Sequence, residues 1–420
     1  MIFTYKFLTI FFYPLIVAII YVRKILGKED YKRYKEKIFL SSIKTDRDPN
    51  KKLIWFHAAS IGEIQSVSDL IEEYNKKKIE VLITTVTKTA ANLVEEKLAN
   101  KKGIYHRYFP IDVNFVLKKF LNQWSPDLII FVDSEIWPNL MMQIKQKKIS
   151  SIIVNARITK NTFNKWMLAP YFAKEIFSIF DLCLAANQET FQFLKDLNAQ
   201  NIKYFGNLKL SNKINFTDIK SENDKILLNK KFWCAVSTHQ GEDIFFLNTH
   251  SFLKNKNKNI LTIIIPRHVN RCFEIKKLCE EKDFNCQILN RGEIIDIAKE
   301  IIIVNSFGNL VNYLKYAKSV FIGKSILKKF KKIGGQNPIE AAKLGCRIYH
   351  GPYTYNFKDI FNQLKTLNIS QEVSNEEELS QKLLKDLQNS KSDNSKSIAT
   401  INDLGEKIFS ESLKEINKFL

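Results

Sequence analysis

Two series of short β-branched runs, each run followed by a stretch of helical character, constrain this chain more than any other feature. The first series falls at residues 53–57, 81–85, 128–132, 151–155, 182–185 and 203–205. The second falls at 232–237, 260–265, 286–289, 301–304, 320–323 and 347–350. Short apolar strands separated by helices predict parallel, doubly wound sheets covered on both faces. A chain of 420 residues exceeds what one core comfortably serves, so the two series read as two α/β domains. The polar stretch 211–231 between them reads as a linker, and the amphipathic tail 401–420 as a closing helix. A polar loop at 389–396 precedes that tail.

The N-terminus has a different character. Phe7 to Val22 carries no charge and contains Pro14, and Arg23, Lys24, Lys28, Lys32, Arg33, Lys35 and Lys37 crowd its C-terminal flank. It is short of the ~20 residues of a full span, so it either spans with help from Met1 to Lys6 or dips into one leaflet. The positive flank predicts that everything after it stays cytoplasmic. No polar residue of this anchor reads as catalytic. The net charge of +21 favours anionic partners. Six cysteines without a CxxC pair or zinc-like spacing read as reduced thiols. No motif suggests a metal or another cofactor.

Polar residues gather just beyond the predicted strand ends, where doubly wound sheets bind ligands. In the first half these are His57-Ala-Ala-Ser-Ile-Gly-Glu63, Asp133-Ser-Glu-Ile-Trp-Pro-Asn139, Asn155-Ala-Arg157 and Gly206-Asn-Leu-Lys209. Glu63 has two readings. It is a general base held at a helix start, or, with Ser60, half of a capping box. Asp133 and Glu135 alternate along a stretch that reads as extended, so one should face the pocket and the other pair with Arg157. In the second half the loops are Ser237-Thr-His239, Pro266-Arg267, Phe307-Gly-Asn309 and Gly334-Gly-Gln-Asn-Pro-Ile-Glu340. The pair Gly334–Gly335 before a helix start suggests backbone amides against a phosphate, with Arg267 supplying charge and Glu340 receiving ribose hydroxyls.

These motifs, in this order over about residues 52–357, resemble the 3-deoxy-D-manno-octulosonic acid (Kdo) transferases of lipopolysaccharide assembly. The resemblance implies a GT-B fold, two Rossmann-like domains facing a cleft behind an N-terminal anchor helix. It implies an inverting transfer of Kdo from CMP-Kdo to a lipid A precursor at the cytoplasmic face of the inner membrane, with no nucleic-acid partner. On this reading residues 1–24 are the anchor, 25–210 the acceptor domain and 232–400 the CMP-Kdo domain. Glu63 falls at the position of the family's base, and Lys209 and Asp133 at its stabilising positions. Pro266, Arg267, Phe307, Gly308, Asn309, Asn337, Pro338, Ile339 and Glu340 fall at its CMP contacts. Ser60, Glu135, Arg157, Ser237, Thr238, His239, Gly334 and Gly335 are further cleft candidates. Asp133 and Asn309 stand where glutamate is usual, Gln336 where histidine is, and Gln240 where glutamate is. The alternatives are a GT-B enzyme with a UDP-sugar and another lipid acceptor, and a non-catalytic basic protein tethered to a membrane.

Overall fold

Leu53–His57 and Leu128–Val132 are buried along their whole lengths. A strand with no solvent face is covered on both sides, which is why these runs are continuously apolar. The computed structural model describes residues 1–39, 47–99, 101–214, 222–257, 259–306, 308, 310–388 and 395–420. It divides into two units, Met1–Asn212 with Leu404–Leu420, and Lys213–Asp403.

The first unit contains β1 (Leu53–His57), β2 (Glu80–Thr85), β3 (Ile104–Tyr108), β4 (Leu128–Val132), β5 (Ser150–Ala156), β6 (Leu182–Ala185) and β7 (Ile202–Tyr204). They form one parallel sheet in the order β3-β2-β1-β4-β5-β6-β7. Trp55, Phe120, Trp124, Phe131, Phe177 and Phe180 fill the core beside it. Each such burial is worth about 1.5–3 kcal/mol. The second unit contains β8 (Phe232–Thr238), β9 (Leu261–Pro266), β10 (Cys286–Asn290), β11 (Ile301–Asn305), β12 (Ser319–Ile322), β13 (Arg347–His350) and β14 (Ser370–Glu372). Its parallel order is β10-β11-β9-β8-β12-β13-β14. The order reverses between β1 and β4 in one sheet and between β8 and β12 in the other. Those reversals are where such sheets bind ligands.

β3 and β14 were not expected. Ile104–Tyr108 alternates buried and half-buried residues and carries a histidine and an arginine, and Ser370–Glu372 has no apolar residue. Both lie on sheet edges. The stretch read as a linker holds the helix Glu222–Asn229, with Leu227 buried and Asp224 paired to Lys315 at 3.2 Å. Residues 215–221 and most of the polar loop at 389–396 lie outside the described residues. The tail begins its helix earlier than expected, as Ser395–Ile416, and from Leu404 it belongs to the first unit. Gly405 packs against the Leu210 carbonyl and Gly206 against Ile408, so side chains at either position would collide. The tail thereby braces the loop that carries Lys209.

The N-terminal segment is two helices, Ile2–Phe11 and Tyr13–Ile25, bent by 54°. Among the described residues no single helix is long and apolar enough to cross a membrane; this pair passes that test together. It is tied to the first unit by polar contacts. The Tyr5 hydroxyl donates to Asp112 Oδ2 at 2.9 Å, Asn139 Nδ2 donates to Thr9 Oγ1 at 3.0 Å, and the Tyr13 hydroxyl donates to the Ile38 carbonyl at 2.7 Å. Nor is the basic flank uniformly available to a membrane. Lys37 is buried against Glu29 and the Val86 carbonyl, and Arg33 is bound by Glu36 and Glu95. Lys28, Lys32 and Lys35 are exposed.

Candidate active site

Glu63 lies in the first turn of the helix Ile61–Lys76, which follows β1. Its carboxylate accepts from the Ala59 amide at 2.7 Å and from the Ser60 hydroxyl at 2.6 Å. This is not a capping box. In that arrangement the serine oxygen receives a helix amide, and the glutamate returns to the serine amide. Ser60 caps no helix amide with its side chain; its hydroxyl is spent on the carboxylate. A helix start lowers a carboxyl pKa, yet here burial dominates and raises Glu63 from 4.5 to about 7. The Ser60 and Ala59 hydrogen bonds oppose the rise, whereas the charges of Asp133 and Glu135 add to it.

The expectation that one of the two acidic residues after β4 would turn away rested on an extended stretch, and the charges of both raise the Glu63 carboxyl. The extended geometry behind that expectation is absent: β4 ends at Val132, and Asp133 adopts a left-handed φ of 58°. Asn155 Nδ2 donates to Asp133 Oδ1 at 2.6 Å, and the Leu208 amide donates to Asn155 Oδ1 at 3.0 Å. Asn155 is buried, itself at φ 51°, and so couples the loop after β4 to the loop carrying Lys209. Such strained backbone persists only where its surroundings enforce it. The Lys209 Nζ stands 3.9 Å from Asp133 Oδ2 and 3.8 Å from the point where a Gly62 Cβ would lie. Arg157 meets Asp133 through its backbone, donating its amide to the Asp133 carbonyl at 3.1 Å. Glu135 receives the Trp137 indole N–H at 3.2 Å and lies 3.4 Å from Nε2 of His57, which is fully buried. Ser60, Glu63, Asp133, Glu135 and Lys209 thus gather on the loops beyond the β1/β4 reversal.

In the second unit the corresponding loops are joined by Glu242, which is fully buried. Its carboxylate accepts the amides of His239 at 2.9 Å, Lys324 at 2.7 Å, Ser325 at 2.9 Å and Ile326 at 3.4 Å. The loops after β8 and β12 are thereby clamped together. Ser237, at φ 54°, accepts the Nδ1–H of His239 on its carbonyl at 3.0 Å, and Thr238 is buried. Burial pushes the His239 imidazole down to about 4. Pro266 ends β9, and Arg267 follows it exposed, its amide donating to the Thr238 carbonyl at 3.1 Å.

The glycine pair does not do what the sequence suggested. The Gly335 amide donates to the Lys324 carbonyl at 2.7 Å, and Gly334 is packed against the carbonyls of Tyr353, Phe330 and Lys324. The Ile339 amide is likewise taken by Asn337 Oδ1 at 3.1 Å. These amides are spent inside the loop. Pro338 leads into the short helix Ile339–Lys343, and burial raises the Glu340 carboxyl. The backbone carbonyl of Glu340 accepts the Leu344 amide at 3.1 Å, and among the described residues no donor meets its carboxylate. Gly308 has φ 83° and open space around it; Phe307 and Asn309 lie outside the described residues.

Asn155, His57 and Glu242 stood in the polar loops that the sequence singled out, but their roles in holding the site together were not read from it. Each acts by holding another residue, and its place at or just beyond a strand end was the only signal. Residues 32–212 match the family described as 3-deoxy-D-manno-octulosonic-acid transferase (kdotransferase). The 3-deoxy-D-manno-octulosonic acid transferase of Rickettsia bellii is 30% identical, over 89% of this chain and 88% of its own. That of Haemophilus influenzae is 26% identical, over 82% and 81%. Among solved structures, a putative UDP-N-acetylglucosamine 2-epimerase from Listeria monocytogenes covers 88% of this chain and 97% of its own at TM-score 0.59 and 12% identity. A glycosyltransferase from Rickettsia africae covers 88% and 99% at TM-score 0.58 and 13% identity. The solved structures share the fold, α/β with two parallel sheets of GT-B type, and the relatives share the sequence. The chain belongs to the 3-deoxy-D-manno-octulosonic acid transferase family, a family of glycosyltransferases.

Proposed function

We propose that this Kdo transferase uses CMP-Kdo as donor and a lipid A precursor as acceptor, with Glu63 as general base. The observation that carries the assignment is a carboxyl raised to about 7, anchored by Ser60 and Ala59, with Asp133 and Glu135 acting on it. A base is most effective when its pKa lies near the working pH. Glu63 takes the proton of an acceptor hydroxyl as that oxygen bonds to the anomeric carbon of Kdo. The anomeric C–O bond to phosphate breaks, and CMP leaves with the electron pair. Lys209 offsets negative charge in the transition state, held in place by Asp133 and the Asn155 contact. Arg267 binds the nucleotide phosphate, and Glu340 receives hydroxyl donors of the nucleoside.

The N-terminal pair attaches the enzyme to the inner membrane from the cytoplasmic side. Phe3, Phe7 and Phe11 are each more than 60% exposed, a composition that suits lipid rather than water. The longer helix has 13 residues and reaches about 20 Å, short of the ~30 Å hydrocarbon core, which favours an interfacial position. The assay is incubation of the full chain with CMP-Kdo and a tetra-acylated lipid A precursor, followed by product mass and CMP release. CMP release coupled to Kdo addition is expected. Release from a UDP-sugar with none from CMP-Kdo would overturn the donor assignment.

A further inference from the structure

A groove of about 790 Å³ runs between the helices Ile2–Phe11, Pro138–Lys147 and Pro170–Phe177 of the first unit. Ligand pockets span about 300–1,000 Å³, so it has room for a substantial group. Its walls are apolar where Ile2, Phe3, Met142, Tyr171 and Phe172 line it. Phe3 is 86% exposed and Tyr171 90%, so two aromatic rings at its rim have no protein cover. Two cations, Lys6 and Lys145, also line it, the latter 3.5 Å from Glu175. Asn139 also lines it; it hydrogen-bonds Thr9 and Asp112 and follows Trp137 by two positions. Trp137 in turn holds Glu135 beside the base. The groove and the segment carrying Glu135 thus share the start of the helix Pro138–Lys147.

We propose that this groove takes an acyl chain of the lipid acceptor, with Lys6 and Lys145 toward its anionic headgroup. An acyl chain is the occupant that fits an open apolar trough with cations at its edge, and an anionic amphiphile matches both features. The proposal rests on the lipid acceptor assigned above. It makes the N-terminal helix a wall of the substrate site as well as a membrane contact.

The test places charge on the exposed wall with Phe3→Asp and Tyr171→Asp, separately and together; neither residue belongs to the catalytic machinery. Transfer is measured with the full chain on three acceptors: a deacylated glucosamine disaccharide phosphate, a short-acyl acceptor below its micellar concentration, and a tetra-acylated acceptor in vesicles. The double variant should raise KM for the short-acyl monomer about tenfold, ~1.4 kcal/mol. It should leave kcat/KM for the deacylated acceptor unchanged. Equal loss on both would make the groove structural, and no loss on either would leave it empty of substrate. Loss confined to vesicles would make the patch a bilayer contact; all three results overturn the acyl site. Failure of the wild-type chain on every acceptor would instead overturn the acceptor assignment itself.

Discussion

Glu63→Gln should make the folded protein more stable as it disables the enzyme. The folded value of about 7 lies above the ordinary 4.5, so the native state holds the proton more tightly than the unfolded chain does. The stability this contributes is complete below about 4.5 and is lost as the pH rises through about 7. The gap corresponds to ~3 kcal/mol at full effect, and partial exposure of the carboxylate reduces it to about 1–3 kcal/mol. Glutamine does not ionise, and its amide oxygen still accepts from Ala59. The variant should therefore gain about 1–3 kcal/mol over wild type at pH 8 and far less at pH 5. Urea unfolding at the two pH values measures this directly, because each variant serves as its own reference. A glutamine variant less stable than wild type at both pH values would mean that the carboxylate is structural, and the case for a base would fall.

Lys209→Ala should lower kcat with little effect on acceptor KM, as its role is to offset charge in the transition state. Its half-buried pair with Asp133 is worth at most about 1 kcal/mol, so the melting temperature should barely move. A change confined to acceptor KM would make it a headgroup contact instead. Glu242→Ala strips the acceptor from four amides and should destabilise the second unit by about 1–3 kcal/mol while weakening CMP binding in calorimetry. Unchanged CMP affinity would remove the β8 and β12 loops from the nucleotide site. Deleting residues 1–22 should lower kcat even on detergent-solubilised acceptor, because it strips Tyr5 from Asp112 and Thr9 from Asn139. Tyr5→Phe should reproduce part of that loss, at about 1 kcal/mol of stability. Full activity of the truncated chain in detergent would show that the helix serves attachment alone.

The central strands were legible because burial on both faces forces continuous apolar runs, and such runs leave little choice of element. The edge strands β3 and β14 were not, because an edge tolerates His106, Arg107 and Glu372. Glu63, Asp133 and Lys209 could be picked out by chemistry and position at strand ends. What they do to one another depended on backbone that local sequence does not announce. Asp133 takes a left-handed turn where alternation assumed an extended stretch, and the charges of both carboxylates raise Glu63. Gly334 and Gly335 show the reverse case. A pattern associated with phosphate binding serves close packing here, as carbonyls from three other residues occupy the space around Gly334. The polar anchorage of Tyr5 and Thr9 was hidden inside a segment whose composition speaks only of membrane.

The most direct test of the central claim is the pH dependence of kcat/KM for Kdo transfer, measured on wild type and Glu63→Gln. The wild-type rate should climb with pH through an apparent pKa near 7, the value burial gives Glu63, and then level off. The variant should lose turnover by about 10² or more and lose that limb with it. A wild-type limb in the ordinary carboxylate range, or an unchanged limb in the variant, would show that Glu63 is not the base.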